Sequence, residues 1–316
     1  MTSAVAAVVL AHDDPEKVRR LIAALRGVEI FLHCDRKAPA EVVRRMLEGS
    51  GPDVHLAPRR PTHRLSWSLV EAELATVQFA LDRTRAEHVI VLSGSCYPLV
   101  PVAELEDELA EWRGLSRLSL HPLPYETWNT PRNRDGGLWR FRRRFASIRG
   151  KLVFACGVPL RTVRRPIPPE LRLHASSQWK IYARRHAMAL LRVLGERPDL
   201  VRFWRTTFVP DESCAASILR SPALVGSVAD EVCHDLPWYI DWDSARATLR
   251  PAWLGEMDFP ALRAARFAVP RRPDDAVAGT GAGDQRRKLF ARKIASRAEP
   301  LLDLIDRELR DAPAQR

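Results

Sequence analysis

Residues 5–25 read VAAVVLAHDDPEKVRRLIAAL, and the fold class follows from how this stretch divides. Val5–Ala11 is an unbroken apolar run, the pattern of a short strand covered on both faces. His12, Asp13 and Asp14 end it. Pro15, favoured in the first turn of a helix, then opens a segment whose Val18, Leu21, Ile22 and Leu25 recur at i, i+3, i+4 and i+7. One buried strand followed directly by one amphipathic helix is half of a βαβ unit.

The alternation continues downstream. Strands are expected at residues 28–33, 54–56, 88–93 (HVIVLS) and 116–121, and helices at 40–47, 67–81 and 102–112. The long helix carries Val70, Leu74, Val77 and Leu81 on one face. Strand and helix in turn predict an α/β fold, with a mainly parallel central sheet flanked by helices. Ligands of such sheets sit beyond the carboxyl ends of the strands. The polar residues that follow each strand are therefore the first site candidates: His12 and Asp13, Asp35, and Ser93 to Cys96.

Residues 122–172 are rich in Arg, Pro and aromatics without periodicity, and read as a long loop region over a cleft. Order resumes at 173–183 and in a helix at 187–194. A helix is expected at 210–219, with Asp211 and Glu212 in its first turn, where carboxylates suit the dipole. Residues 269–284 read as a flexible loop and 289–309 as a final amphipathic helix. The domain division is thus 1–121, 122–172 and 173–310.

Of 316 residues 46% are hydrophobic, enough for a large core and too many for a disordered chain. Nine Trp fit either a core or a sugar cleft. The five Cys are scattered with no CxxC pair, which supports neither a zinc site nor a disulfide framework. No basic leader or long apolar span opens the sequence, so a cytoplasmic protein is expected. The net charge of +11 gathers around residues 140–151, 161–165 and 286–293. It allows peripheral contact with an anionic membrane, although Arg-rich coding supplies part of it.

No P-loop, GxGxxG after the first strand, HExxH or GxSxG is present. Gly279–Asp284 (GTGAGD) follows no strand and is set aside. Asp241-Trp242-Asp243 is the one Asp-x-Asp, the pattern of a metal-diphosphate site, yet it lies late in the chain.

Seven strings occur in order: VVLAHDDPEKVRRLIAAL, FLHCDRKAP, WSLVEAELATVQFAL, VIVLSGSCYPL, ASSQWKIYARR, VPDESCAASIL and LFARKI. Together they resemble the core-2/I-branching family, the β-1,6-N-acetylglucosaminyltransferases and peptide O-xylosyltransferases, across residues 4–294. The resemblance implies a GT-A-like nucleotide-diphospho-sugar transferase fold and inversion at the anomeric carbon. It also implies no metal and no other cofactor, with a UDP-sugar as co-substrate. Residues 1–121 become the nucleotide-sugar-binding half. Residues 173–310 become the acceptor and catalytic half, ending in a diphosphate-binding helix.

By the same resemblance Glu212 matches the catalytic base, with Asp211 beside it. Lys293 matches the diphosphate-binding Lys, and Arg292 is placed to assist. His12, His33 and Asp35 match the nucleoside site. Ser93, Ser95, Cys96, Tyr97, Gln178 and Trp179 match the substrate pocket.

Three departures stand out. Cys96 replaces the family's Asp, and Ser68-Leu69 after Trp67 replace two glycines. The second diphosphate-binding Arg has four candidates: Arg263, Arg266, Arg286 and Arg287. The eukaryotic members are anchored Golgi enzymes with disulfides, so the chain is more similar to a bacterial relative. The implied acceptor is then a glycan, a lipid-linked glycan or a small molecule. Two other readings fit parts of the sequence: a catalytically silent sugar-nucleotide- or glycan-binding relative, and a nucleic-acid-binding protein, which charge alone motivates.

Overall fold

The computed structural model describes residues 4–112, 114–242, 251–269 and 286–311. The N-terminal part runs β1 (Val5–Ala11), α1 (Pro15–Ala24), β2 (Glu29–Cys34), α2 (Ala40–Leu47), β3 (Val54–Leu56), α3 (Trp67–Leu81) and β4 (His88–Ser93). Then come β5 (Cys96–Pro98), α4 (Val102–Glu111) and β6 (Ser116–Leu118). These bounds follow the apolar periodicity closely.

Residues 122–172 depart from the expected loop. They hold β7 (His121–Pro122), β8 (Arg143–Phe145), β9 (Ser147–Ile148), β10 (Lys151–Leu152), β11 (Phe154–Ala155), β12 (Val158–Pro159) and β13 (Arg161–Arg164). β9 and β10 pair as an antiparallel hairpin, as do β11 and β12, and β13 pairs with β8. The two-residue turns Arg149-Gly150 and Cys156-Gly157 have φ of 49° and 79°, and 48° and 74°. Positive φ at both central residues is the type I′ geometry that matches strand twist.

The chain continues through β14 (His174–Ala175), β15 (Lys180–Ala183), α5 (Arg184–Glu196), α6 (Pro198–Arg205), α7 (Cys214–Leu219) and α8 (Pro222–Val225). β16 (Val232–His234), β17 (Trp238–Ile240), α9 (Phe259–Arg266), β18 (Phe290–Arg292) and α10 (Glu299–Ile305) complete it. The helix expected at 210–219 is a 3-10 turn, Pro210–Glu212, followed by α7. The helix expected at 289–309 begins only at Glu299. Its first residues form a strand instead, because Phe290 and Arg292 pair with β5 on one side and β17 on the other. The expected loop 269–284 lies outside the described residues except for Val269, as do GTGAGD and Asp243.

The central sheet has the order β16-β6-β15-β4-β1-β2-β3. β1 to β4 are mutually parallel, β16 is parallel to β6, and β15 runs antiparallel to both β4 and β6. The sheet is mixed α/β and mainly parallel, as expected. Its alternate residues face two layers. Val5, Ala7 and Val9 pack with α1 and the C-terminal elements, whereas Ala6, Val8 and Leu10 pack with α3. A strand buried on both faces needs apolar side chains at every position, which is why Val5–Ala11 lacks alternation.

Candidate active site

The carboxyl end of β4 turns through Ser93-Gly94-Ser95 into β5, and β18 lies antiparallel to β5 with Arg292 opposite Cys96. The turn demands glycine. A Cβ at position 94 would come within 2.9 Å of the Val18 side chain and 3.5 Å of Ala11 Cβ. Lys17, fully buried on α1, donates from Nζ to the Cys96 carbonyl at 2.7 Å and locks the turn from beneath. Burial lowers the Lys17 pKa to about 7.

This register delivers Arg292 to the turn. Its Nη1 donates to Ser95 Oγ at 2.8 Å and also to Ser93 Oγ, and its Cζ lies 3.9 Å from the Trp179 ring centroid. Burial disfavours its charge, with the Cys96 thiol opposing that effect. Among the described residues no carboxylate pairs with Arg292, and its buried Nε has no partner. A desolvated guanidinium without an anion is costly, so this geometry suits an anionic ligand. Lys293, next in sequence, stands over Trp253 with Nζ 4.2 Å from the ring centroid.

Glu212 lies at the other end of a short connection. Its carbonyl accepts the Ser176 N–H at 2.8 Å, and three residues later Trp179 forms the platform under Arg292. The Glu212 side chain remains 37% exposed. Arg140 Nη1 donates to Glu212 Oε2 at 3.2 Å, while the guanidinium stacks on Trp128 with 3.7 Å to the centroid. The carboxylate is thus aimed by a cation that is itself held by an aromatic face.

Asp211 points the opposite way, into the interior. Burial, reinforced by the Glu212 charge, pushes it up to about 7, and Oδ1 has no partner among the described residues. Behind it lies a buried polar cluster. Lys180 Nζ is 3.1 Å and 3.2 Å from the two Glu73 oxygens, and Tyr182 donates to Glu73 at 2.9 Å. A cavity of about 10 Å³ between Asp211, Glu73, Lys180 and Cys214 is close to the size of one water.

The other strand-end candidates divide. Asp35 accepts from Lys37 N at 2.8 Å, from Thr62 N at 3.2 Å and from Thr62 Oγ1. Burial alone would raise its pKa; the bonds from Thr62 and Lys37 outweigh that and lower it. His33 Nε2 accepts the Arg60 N–H at 3.0 Å. Both side chains thus anchor the 59–62 loop at the sheet's carboxyl end. His12 is exposed, and its Nε2 is 3.4 Å from Asp13. Gln178 is half-buried beside Trp179.

Tyr97 is not brought to the cleft. It is buried, with its hydroxyl donating to Asp306 at 2.9 Å and accepting from Arg20 at 3.4 Å. Cys96 is buried, its sulfur 3.4 Å from both Ser93 N and Ser93 Oγ. Ser68, where the resemblance implies glycine, accepts the His63 N–H at 2.8 Å and shapes the turn before α3. Among the four arginines offered for the diphosphate, Arg266 pairs with Glu104, and Arg287 with Glu104 and Glu108. Arg286 lies 3.4 Å from Asp235, and Arg263 is exposed on α9. These ion pairs brace α4 and the final strands.

Sequence reasoning missed Arg140 and Lys17. Lys17 lies four residues before Leu21, on the edge of the apolar face of α1, a spacing that could have shown it. Nothing set Arg140 apart from Arg142, Arg143 and Arg144.

Comparison with known proteins places the chain. No curated protein matches it. Among solved structures it is similar to a cytidylyltransferase from Leptospira borgpetersenii serovar Hardjo-bovis, at 10% identity and a TM-score of 0.30, covering 64% of this chain and 74% of that one. It is likewise similar to 4-diphosphocytidyl-2C-methyl-D-erythritolsynthase from Anaerococcus prevotii, at 8% identity and a TM-score of 0.32, covering 62% and 78%. Its sequence matches the Core-2/I-Branching enzyme family over residues 5–263, with the strand-end, Ser93–Tyr97, Gln178-Trp179 and Asp211-Glu212 motifs all inside that span. The chain belongs to the Core-2/I-Branching enzyme family, and that membership implies glycosyltransferase activity.

Proposed function

We propose that the protein transfers a sugar, GlcNAc being the first candidate, from a UDP-sugar to an acceptor hydroxyl, with inversion and without a metal ion. Glu212 removes the acceptor proton as the oxygen attacks the anomeric carbon. The bond to the diphosphate breaks from the opposite face, and UDP leaves with its electron pair. Arg292 and Lys293 receive the negative charge that develops on the diphosphate, with Ser93 and Ser95 orienting Arg292. The acceptor is a glycan, a lipid-linked glycan or a small molecule.

The observation that carries this reading is the Arg292 guanidinium. It is fixed by Ser93, Ser95 and Trp179 and lacks a carboxylate among the described residues. The test is thermal stabilisation by a panel of nucleotides and UDP-sugars, each in EDTA and in Mn²⁺. A ligand at a hundred times its dissociation constant adds about 2.7 kcal/mol. Equal stabilisation by UDP in EDTA supports the proposal. Stabilisation that requires Mn²⁺ refutes its metal-free part and turns attention to Asp241 and Asp243. Glu212→Gln should abolish transfer and leave UDP binding intact. A chain that binds UDP yet shows no transfer with any donor is the silent relative.

A further inference from the structure

Residues 136–169 carry nine Arg and Lys and no Asp or Glu. Three of these cations are committed inward: Arg140 to Glu212, Arg161 to Asn133, and Arg165 to the Phe203 carbonyl and the hydroxyls of Thr206 and Thr207. Arg144, Arg149, Lys151 and Arg164 are exposed, with no carboxylate paired to them among the described residues. Large apolar side chains stand in the open among them: Ile148 at 68% exposure, Val163 at 61%, Phe154 at 45% and Leu160 at 44%. Ile148 and Phe154 sit on the type I′ hairpins, whose tips are Arg149-Gly150 and Cys156-Gly157, while Leu160 and Val163 follow them, Val163 within β13 beside β8.

A solvated basic face has no use for bare Ile, Val, Leu and Phe. A nucleic-acid surface needs the cations, but of the four apolar side chains only Phe154 has a ring to stack on a base, and none bonds to a phosphate. Anionic head groups above an acyl layer answer to both features at once, with cations at the surface and short apolar side chains just below it.

We infer that the hairpins of residues 143–164 form a docking surface for an anionic lipid bilayer, with Ile148 and Phe154 entering the head-group boundary. The docking does not depend on transferase chemistry. A lipid-linked acceptor, which a docked enzyme would meet because the same segment holds Glu212 through Arg140, does rest on that reading.

Cys156 supplies the probe. It is exposed at a hairpin tip, whereas Cys34, Cys96, Cys214 and Cys233 are buried. The full chain, labelled there with a polarity-sensitive fluorophore, is mixed with vesicles of equal parts phosphatidylcholine and phosphatidylglycerol, or of phosphatidylcholine alone. The expected result is a blue shift and co-sedimentation with the anionic vesicles only. The triple variant Arg144→Glu, Arg149→Glu, Lys151→Glu should lower the partition coefficient roughly a hundredfold, at about 1 kcal/mol for each cation. Ile148→Ser with Phe154→Ser should remove the blue shift. All five side chains are exposed, so circular dichroism should show both variants folded. The inference is overturned if anionic vesicles neither bind nor shift the label, or if either variant behaves as the unaltered chain. Tight binding of duplex DNA without vesicle binding also overturns it, in favour of a nucleic-acid surface.

Discussion

Replacing Asp211 by Asn should stabilise the protein, but only above the acid range. In the unfolded chain this carboxyl ionises near 3.8, whereas in the fold burial holds its pKa at about 7. Between those values the folded state keeps a proton that the unfolded state has released. The stability contribution is therefore fully present below about pH 4 and is lost as pH rises through 7. Three pH units at about 1.36 kcal/mol each set a ceiling on the order of 4 kcal/mol. Asn keeps the shape of the neutral acid and does not titrate. The two proteins should thus differ by less than about 1 kcal/mol near pH 4, while the variant should lead by on the order of 2–4 kcal/mol near pH 8. Urea unfolding of both at several pH values reads this directly. The reasoning fails if the difference between them is the same at both ends of the range, or if the wild type is the more stable near pH 8.

Other expectations concern the groups around the site. Glu73→Gln should cost about 3–5 kcal/mol by leaving Lys180 buried and unpaired, and Glu73→Gln with Lys180→Met should recover much of it; chemical denaturation checks both. Arg292→Met should raise the unfolding temperature of the free protein, by about 1 kcal/mol of stability, and erase stabilisation by UDP. The trade would show that the cation is kept for a ligand. Lys17, held near 7 against an ordinary 10.5, stays neutral in the fold where the unfolded chain is protonated. Wild-type stability should therefore rise between about pH 7 and 10, by on the order of 5 kcal/mol at most, and Lys17→Met should flatten that rise in a pH series of unfolding curves.

Elements with long local periodicity were legible in the sequence. α3 runs from Trp67 to Leu81 as expected, and β1 from Val5 to Ala11, because each buries a continuous apolar face that the pattern records. Residues 143–164 were not, since strands of two to four residues carry no readable period and their turns use Arg-Gly and Cys-Gly rather than Asn-Gly. Arg292 was named from the sequence, but its place was not. Only the pairing of β18 with β5, from nearly two hundred residues away in sequence, brings it to Ser93 and Ser95. Tyr97 went astray for a related reason. Strand alternation turns its ring away from the cleft, where Asp306, far along the chain, claims the hydroxyl.

The placement of β15 has a consequence for how the chain comes off the ribosome. β15 lies between β4 and β6, and β6 has no partner other than β15 and β16. When residue 121 has been made, β4 (HVIVLS) still has an open edge and β6 has nothing to join. Translation of the next sixty or so residues occupies roughly 3–12 s at about 5–20 residues per second. Throughout that interval an apolar strand edge is on offer to any other chain. The nascent protein is therefore a natural client for a holdase, and a fragment ending before Lys180 should collect in the insoluble fraction, whereas one that includes Ala183 closes β4.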